Sequence, residues 1–191
     1  MARRRDELAE AATDYALEHG LIGLSLRPLA EALGTSDRML LYHFADKDDL
    51  VATILRTTLE RSVRGLRELP PSLGLRSAVL DLWRLMTTGP QQRCQRLYVE
   101  AAALGLFGRE PYATAMRETN AVWVLAVAAH FRNVGLSLTA ARQVTVLVDA
   151  TFMGLQLDEP LDSTAQQRRA ARDLADAVEA RWGHPSAPGK A

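Results

Sequence analysis

A short polar run in the N-terminal quarter of the chain carries side chains that suit contact with DNA. Gly34 is followed by Thr35, Ser36, Asp37 and Arg38. The Arg38 guanidinium can donate two hydrogen bonds to the edge of a guanine base, and a phosphate contact is an equally simple role for it. The hydroxyls of Thr35 and Ser36 can donate to phosphate, as can backbone N–H groups at a helix start. The run therefore predicts a segment that contacts nucleic acid.

Two short helices are predicted on either side of this run. The first follows Ser25, which occupies a typical N-cap position, and ends before Gly34. The second runs from about Asp37 to His43, and a glycine between them permits a sharp reversal because it adopts a positive φ at little cost. This order is the outline of a helix-turn-helix unit, whose second helix enters the major groove N-terminus first. Its opening residues would be Ser36, Asp37, Arg38 and Met39.

The chain as a whole is predicted to be all-α, with about nine helices. Alanine and leucine are abundant, aromatic residues make up 6%, and no segment shows sustained strand alternation. Pro70-Pro71 is the clearest break, and Gly89-Pro90 is another. Helices are expected over about residues 6–19, between 25 and 34, and over 37–43, 46–68, 74–88, 91–107, 112–134, 139–157 and 164–182.

A longer set of residues around the turn matches a known pattern. The run from Gly34 to Leu50 places Tyr42-His43-Phe44 and Lys47 at a characteristic distance from the glycine, with Ala11-Ala12, Gly20, Ser25, Leu29 and Ala30 upstream. Through these positions, residues 6–55 resemble the TetR family of bacterial transcriptional repressors. The resemblance implies an N-terminal three-helix DNA-binding unit and a C-terminal helical domain for ligand binding and dimerisation.

The resemblance also implies roles for single positions. Arg27 and Arg38 lie where family members often read bases, and Lys47 lies where a lysine commonly reaches a phosphate. Tyr42 and His43 match residues that usually contact the DNA backbone. With the opening residues above, the candidate DNA-binding set is Ser25, Arg27, Thr35, Ser36, Asp37, Arg38, Met39, Tyr42, His43 and Lys47.

Like Arg38, two further members of this set have more than one candidate role. Asp37 could cap the second helix or accept a hydrogen bond from a cytosine amino group. Ser25 matches a family position that caps the first short helix and can also contact phosphate. On the inward side of the unit, either Met39 or Leu40 is expected to be buried. The packing positions that the resemblance matches are Leu29, Ala30, Leu41 and Phe44.

The charge balance excludes a protein that binds nucleic acid by bulk charge. The chain has 23 Lys+Arg and 23 Asp+Glu, a formal net charge of zero. Residues 1–56 have seven basic and ten acidic side chains, a net of −3 (seven minus ten), so DNA affinity must come from their placement. The Arg3-Arg4-Arg5 segment is predicted to act as an arm along a groove or phosphate track, or to be a solvated tail.

The sequence shows no pattern typical of an enzyme, a metal site or a membrane span. There is one cysteine, Cys94, so a disulfide within the chain is impossible and no structural zinc site is expected. No Gly-x-Ser-x-Gly, P-loop or HExxH motif occurs. The longest apolar run, Ala121 to Ala129, falls well short of the roughly 20 residues that a bilayer requires. We expect no enzyme activity, no cofactor, no membrane partner and a cytoplasmic location.

Two C-terminal helices carry the predicted dimer interface. A helix that is apolar on two sides is buried on both, and two-fold pairing is the usual route to adequate DNA specificity. The simplest arrangement places the core on one side and a partner subunit on the other. The resemblance implies this arrangement, because the family forms its dimer interface through its last two helices. The alternative is that every apolar stripe belongs to the internal core. The helix near 139–157 has one side with Val144, Leu147, Val148, Thr151 and Leu155 and another with Val146, Ala150, Met153 and Leu157, and the helix near 164–182 has Ala171, Leu174, Ala175, Val178 and Trp182.

The middle helices are predicted to hold a pocket for a small, mostly apolar, uncharged effector. Aromatic and methionine side chains suit such a lining, but they suit an ordinary core equally well. Polar residues in apolar neighbourhoods are more specific signals because each needs a partner. The candidate ligand-binding residues are Trp83, Met86, Tyr98, Glu100, Phe107, Met116, Asn120, Trp123, Phe152 and Gln156.

These features predict a division of the chain and a function. Residues 1–46 would form a DNA-binding helix-turn-helix domain, residues 47–183 a ligand-sensing and dimerisation domain, and residues 184–191 a disordered tail. The predicted function is that of a homodimeric, ligand-responsive transcriptional regulator, a repressor, which binds double-stranded DNA at a palindromic operator. The alternatives are a regulator without a small-molecule effector and a helical interaction protein that does not bind DNA.

Overall fold

A computed structural model describes residues 2–158 and 160–183, and within them the chain is all-α. This confirms the predicted fold class. The described helices are α1 (Ala2–His19), α2 (Leu26–Ala32), α3 (Asp37–His43), α4 (Lys47–Arg67), α5 (Leu75–Thr87), α6 (Gly89–Leu106), α7 (Tyr112–Arg132), α8 (Leu138–Leu157) and α9 (Thr164–Trp182). None of these helices combines the length and the apolar character that crossing a bilayer requires.

The N-terminal arginines lie in a helix, so the predicted arm is wrong. α1 begins at Ala2, four residues earlier than expected. Arg3 and Arg4 both pair with Glu7 one turn further along, at 3.1 and 3.2 Å, and such i,i+3 and i,i+4 pairs support a first helical turn.

The described chain divides into two compact units. Unit 1 comprises the residues up to Val63 together with Gly89–Ala121, and unit 2 comprises Arg64–Thr88 together with the described residues from Val122 onward. The division predicted between residues 46 and 47 does not coincide with this grouping and stays a prediction. The predicted disordered tail, 184–191, lies outside the described residues.

Unit 1 has a continuous core that fixes α1 to α4 around the candidate turn. Leu29 of α2, Leu40 of α3 and Leu50 and Ile54 of α4 are fully buried there. Phe44, at the end of α3, is buried with them. Burial of such side chains contributes roughly 1.5–3 kcal/mol each relative to exposure, so the two short helices are held by packing rather than by their own stability.

One predicted packing position is wrong. Leu41 is 46% exposed, whereas its neighbour Leu40 is fully buried and Met39 is exposed. Successive residues of an α-helix point about 100° apart, so a helix that buries Leu40 and Phe44 turns Leu41 outward. Leu29, Ala30 and Phe44 are buried as the resemblance implied.

Unit 2 is built on α5, the C-terminal half of α7, α8 and α9. Trp83 of α5 lies against Phe152 of α8, with ring centroids 4.9 Å apart. The apolar stripe of α9 faces this core, since its residues Ala171, Ala175 and Val178 are completely buried within the chain. At these three positions the structure supports the alternative, internal core. Leu174 and Trp182 of the same stripe are half-buried, and the predicted part of α9 in a dimer interface stays a prediction.

Candidate nucleic-acid interface

The turn between α2 and α3 depends on a glycine in the left-handed region. Gly34 has φ +64°, and the N–H groups of Gly34 and Thr35 donate to Glu31 O and Ala30 O at 3.1 and 2.9 Å. These bonds satisfy carbonyls at the end of α2 that no longer have helical partners. An L side chain at this φ is strained, so the sequence requires glycine where the chain reverses.

The first turn of α3 is capped by its own polar side chains. Ser36 is the N-cap, and its Oγ accepts from the N–H of Met39 at 3.2 Å. Asp37 Oδ1 accepts from the N–H of Arg38 at 2.9 Å. Ser36 therefore acts as the predicted cap, and Asp37 turns its charge to the helix terminus, where the positive end of the dipole favours it.

The side chains beyond this cap point to the surface. Arg38 and Tyr42 lie one turn apart on the side of α3 opposite the buried Leu40. The Tyr42 ring packs edge-on against the His43 ring, with the ring centroids 5.2 Å apart. Of the candidate residues, Ser25, Arg27, Ser36, Asp37, Arg38, Met39, Tyr42 and Lys47 are exposed, and Thr35 and His43 are half-buried.

Ser25 stands at the N-cap of α2, as predicted, but its side chain makes no capping hydrogen bond. Its exposed hydroxyl therefore keeps its capacity to donate, and a phosphate oxygen is an acceptor of the right kind. Its role as a DNA contact stays a prediction.

Several acidic side chains in this region are committed to local structure. Asp46 Oδ1 accepts from the N–H of Asp49 at 2.8 Å and so caps α4, as predicted. Asp49 accepts from the N–H of Ala45 at 3.1 Å. On α1, Glu10 and Asp14 both pair with Arg61 of α4. Arg61 lies outside residues 1–56 and adds a positive charge beside these two carboxylates, so the net charge of −3 overstates the negative charge of this region.

Arg5 is a structural residue that sequence reasoning missed. Its Nε donates to His43 O at 3.1 Å, its Nη2 lies 3.3 Å from Asp49 Oδ2, and its guanidinium lies over the Phe44 ring at 4.9 Å from the centroid. The side chain therefore joins α1 to the end of α3 and to the start of α4. No local motif marks it, because its partners are 38 to 48 residues away.

Replacement of Arg5 by alanine is expected to lower the free energy of unfolding by about 1–3 kcal/mol, because a charged hydrogen bond and a cation–π contact are both lost. Arg3→Ala is the matched control, since its exposed pair with Glu7 contributes at most about 1 kcal/mol. Urea unfolding followed by circular dichroism measures both. Equal midpoints for the two variants would contradict the role assigned to Arg5.

A carboxylate from α6 holds the loop between α1 and α2. Glu100 accepts from the backbone N–H of Leu21 at 2.8 Å and from the N–H of Ile22. Gly20, at φ +80°, approaches so closely that a Cβ there would lie 3.0 Å from Glu100 Oε2. Glu100 was predicted to bind a ligand, and the structure instead commits its carboxylate to this loop.

The other ligand candidates of unit 1 lie in different surroundings. Tyr98 Oη donates to Asn120 Oδ1 at 3.1 Å, so these two candidates pair with each other. Met116 is buried in the core. Phe107 is 81% exposed because it follows the end of α6 in the turn to α7, so its predicted place in a pocket lining is wrong for this chain.

The ligand candidates of unit 2 are buried. Trp83, Met86 and Phe152 belong to its core, and Trp123 Nε1 donates to Asp149 Oδ1 at 2.9 Å. Gln156 has both amide atoms buried without a hydrogen-bond partner. Sequence reasoning did not select Asp149, although the one acidic residue in the helix 139–157 was a signal that could have found it.

Nothing in the described part of the chain resembles a metal centre. No group of three or more His, Cys, Asp or Glu side chains there is arranged to hold an ion. Cys94 is buried, and burial raises the pKa of its thiol, so the group is protonated at neutral pH.

The geometry of α2, the Gly34 turn and α3 defines a helix-turn-helix unit. Residues 8–54 match the bacterial regulatory proteins of the tetR family. This match over residues 8–54 confirms the resemblance to the TetR family seen in residues 6–55.

Curated relatives match part of the chain. The HTH-type transcriptional repressor AcnR of Corynebacterium efficiens is 29% identical over a segment that covers 48% of this chain and 55% of the relative. The AcnR repressor of Corynebacterium diphtheriae is 32% identical over 36% of each chain. The chain spans about half the length, or less, of the curated relatives it matches.

Solved structures match almost the whole chain. A transcriptional regulator from Rhodococcus sp. Rha1 has a TM-score of 0.75 at 24% identity and covers 95% of this chain and 98% of its own. The multidrug binding protein EbrR, solved in complex with proflavin, has a TM-score of 0.68 at 25% identity and covers 92% of this chain and 99% of its own. The fold of these regulators therefore extends over both units.

Proposed function

We propose that the protein is a homodimeric transcriptional repressor that binds a palindromic operator through α3 and releases it when a small, mostly apolar effector binds. The single observation that carries the proposal is the start of α3, where Arg38 is exposed beside a capped helix terminus. Among the described residues, no ion pair engages its guanidinium. An exposed guanidinium without an ion pair at a capped helix start is suited to reading a base edge.

The names of the relatives support the regulatory part of the proposal. AcnR is named a transcriptional repressor, and residues 8–54 match the bacterial regulatory proteins of the tetR family. EbrR is named a multidrug binding protein, which supports a small molecule as the effector here. Release would follow if the effector prefers a conformation that respaces the two DNA-binding units, a coupling that typically amounts to about 1–3 kcal/mol.

The partner subunit is proposed to pack on α8. Val146 and Leu157 are 63% and 55% exposed, and Ala150 lies with them on one side of the helix. The core side of α8, with Val144 and Val148, is fully buried. A two-fold operator calls for two α3 helices in one complex, so a second copy of this chain is the occupant that fits this apolar side.

A fluorescence-anisotropy titration of the full-length protein with labelled DNA from its own promoter tests the proposal. Specific binding is expected to be much tighter than binding to random DNA of equal length and to weaken steeply as salt rises. Equal binding to both DNAs would overturn the repressor and favour a helical interaction protein.

Lys47 is expected to contribute a phosphate contact from the start of α4. Lys47→Ala should weaken binding to operator and random DNA by a similar factor and lower the slope of log affinity against log salt by about 1 per subunit. Lys47→Arg is the matched control, because it keeps the charge and should keep the slope. An unchanged slope in Lys47→Ala would contradict this role.

A further inference from the structure

Two polar side chains, Asp149 and Gln156, lie on one side of the C-terminal half of helix α8. Asp149 and Gln156 are seven residues apart, which places them two turns and about 10.5 Å apart along the helix axis. Phe152, which is fully buried, lies between them on the same side. This side is distinct from the exposed one that carries Val146 and Leu157.

Asp149 is a carboxylate without a counter-ion among the residues that the structure describes. Its Oδ1 accepts from Trp123 Nε1 at 2.9 Å, and Trp123 is itself buried. Burial raises the pKa of Asp149, while the hydrogen bond from Trp123 opposes that rise. No ion pair within residues 2–158 and 160–183 includes this carboxylate, which has lone pairs to accept further bonds.

Gln156 has an unmet hydrogen-bonding requirement. Its Nε2 and Oε1 atoms are both inaccessible to solvent and have no partner. Gln167 of α9 gives a contrast, because its Nε2 donates to Leu155 O at 3.0 Å. A buried amide without a partner destabilises the folded protein, and such a group in a native protein calls for a ligand or a trapped water.

We propose that Asp149 and Gln156 bind the effector, and that the effector is an organic cation with an apolar body. This inference rests on the proposed ligand-responsive function and changes the ligand class expected from the sequence, which was uncharged. The positive group lies against the Asp149 carboxylate and the Trp123 indole, where both attract a cation. The apolar body packs beside Phe152, and the Gln156 amide bonds to a polar atom at the far end.

A pair of probes of the same shape separates charge from apolar contact. Phenyltrimethylammonium and tert-butylbenzene differ in one atom, the cationic nitrogen, and binding of each to the DNA-free protein is measured by saturation-transfer NMR titration of its methyl signal. We expect the cation to bind about 10- to 100-fold more tightly than the neutral probe, as a charged contact in a buried site provides. Equal affinities, or no binding of the cation at millimolar concentration, would overturn the proposal.

Two variants test the residues. Asp149→Asn keeps an acceptor for Trp123 and is expected to lose the preference for the cation while binding the neutral probe as before. Gln156→Leu replaces the unpartnered amide by an apolar side chain of similar size. It is expected to weaken the binding of a cation that carries a hydrogen-bonding group at its far end, such as 4-acetylphenyltrimethylammonium. An unchanged cation preference in Asp149→Asn overturns the role of Asp149, and undiminished binding of the acetyl probe overturns that of Gln156.

Stability and operator binding separate these outcomes from other failures. Neither substitution is expected to lower the melting temperature, since one removes a poorly solvated charge and the other an unsatisfied amide. A large fall in melting temperature would indicate a structural role and contradict the proposal. The wild type, Asp149→Asn and Gln156→Leu are expected to bind the operator with the same affinity in the absence of a probe. If the wild type does not bind the operator, the proposed function is refuted instead.

Discussion

An Arg38→Ala protein is expected to bind its operator at least about 30-fold more weakly than the wild type while its affinity for random DNA falls little. A good bidentate contact to a base contributes about 1–3 kcal/mol, and a symmetric dimer makes it twice, so the loss is about 2–6 kcal/mol. Arg38 is exposed, and its backbone N–H is held by Asp37, so the helix start survives removal of the side chain.

Anisotropy titrations with operator and random DNA at one salt concentration measure the ratio of the two affinities. Arg84→Ala is the matched control, because it removes the same charge from an exposed position on α5. If Arg38→Ala weakened both DNAs by one factor, Arg38 would be a phosphate contact and base reading would fall to other side chains such as Arg27.

Local chemistry was the part of the site that the sequence could predict. The reversal at Gly34 and the caps at Ser36 and Asp46 each depend on residues within five positions of one another. Such motifs have the same geometry in any protein that contains them. This is why the helix-turn-helix unit was predictable with its helix bounds close to those observed.

Contacts between distant residues were the part that the sequence could not predict. Glu100 bonds to an N–H group 79 residues away, and Trp123 bonds to Asp149 across 26 residues. Composition showed only that these polar groups needed partners, and packing decided which partners they found. The predicted ligand role of Glu100 shows the consequence, since its need was real but the chain itself supplies the bond.

Apolar patterns predicted which residues are buried, but they were a poorer guide to the surface that buries them. The α9 stripe has the right helical period and is buried at Ala171, Ala175 and Val178, yet it packs inside unit 2. In α3 the consecutive apolar residues Met39, Leu40 and Leu41 left the phase of the helix undetermined. Neither question can be answered by periodicity, because each depends on the surface that the helix meets.

Val146→Glu is expected to raise the dissociation constant of the homodimer by at least about 1000-fold. Two-fold symmetry would bring one new carboxylate from each subunit into an apolar contact. Burying an unpaired charge costs several kcal/mol per ion, and a loss of about 4 kcal/mol in binding free energy is enough for a 1000-fold higher dissociation constant. Because Val146 is exposed on α8, the subunit itself should fold normally. Sedimentation velocity across a concentration series measures the change.

Leu73→Glu is the matched control, since it introduces the same charge at a fully exposed leucine outside the helices. Operator binding adds a second readout, because a monomer presents one α3 and reads one half-site. Val146→Glu should therefore lose cooperative binding to the full palindrome. It should still show a thermal unfolding transition, as a folded chain does. A Val146→Glu protein that sediments as a dimer would move the interface away from this side of α8 and leave the exposed valine without a role.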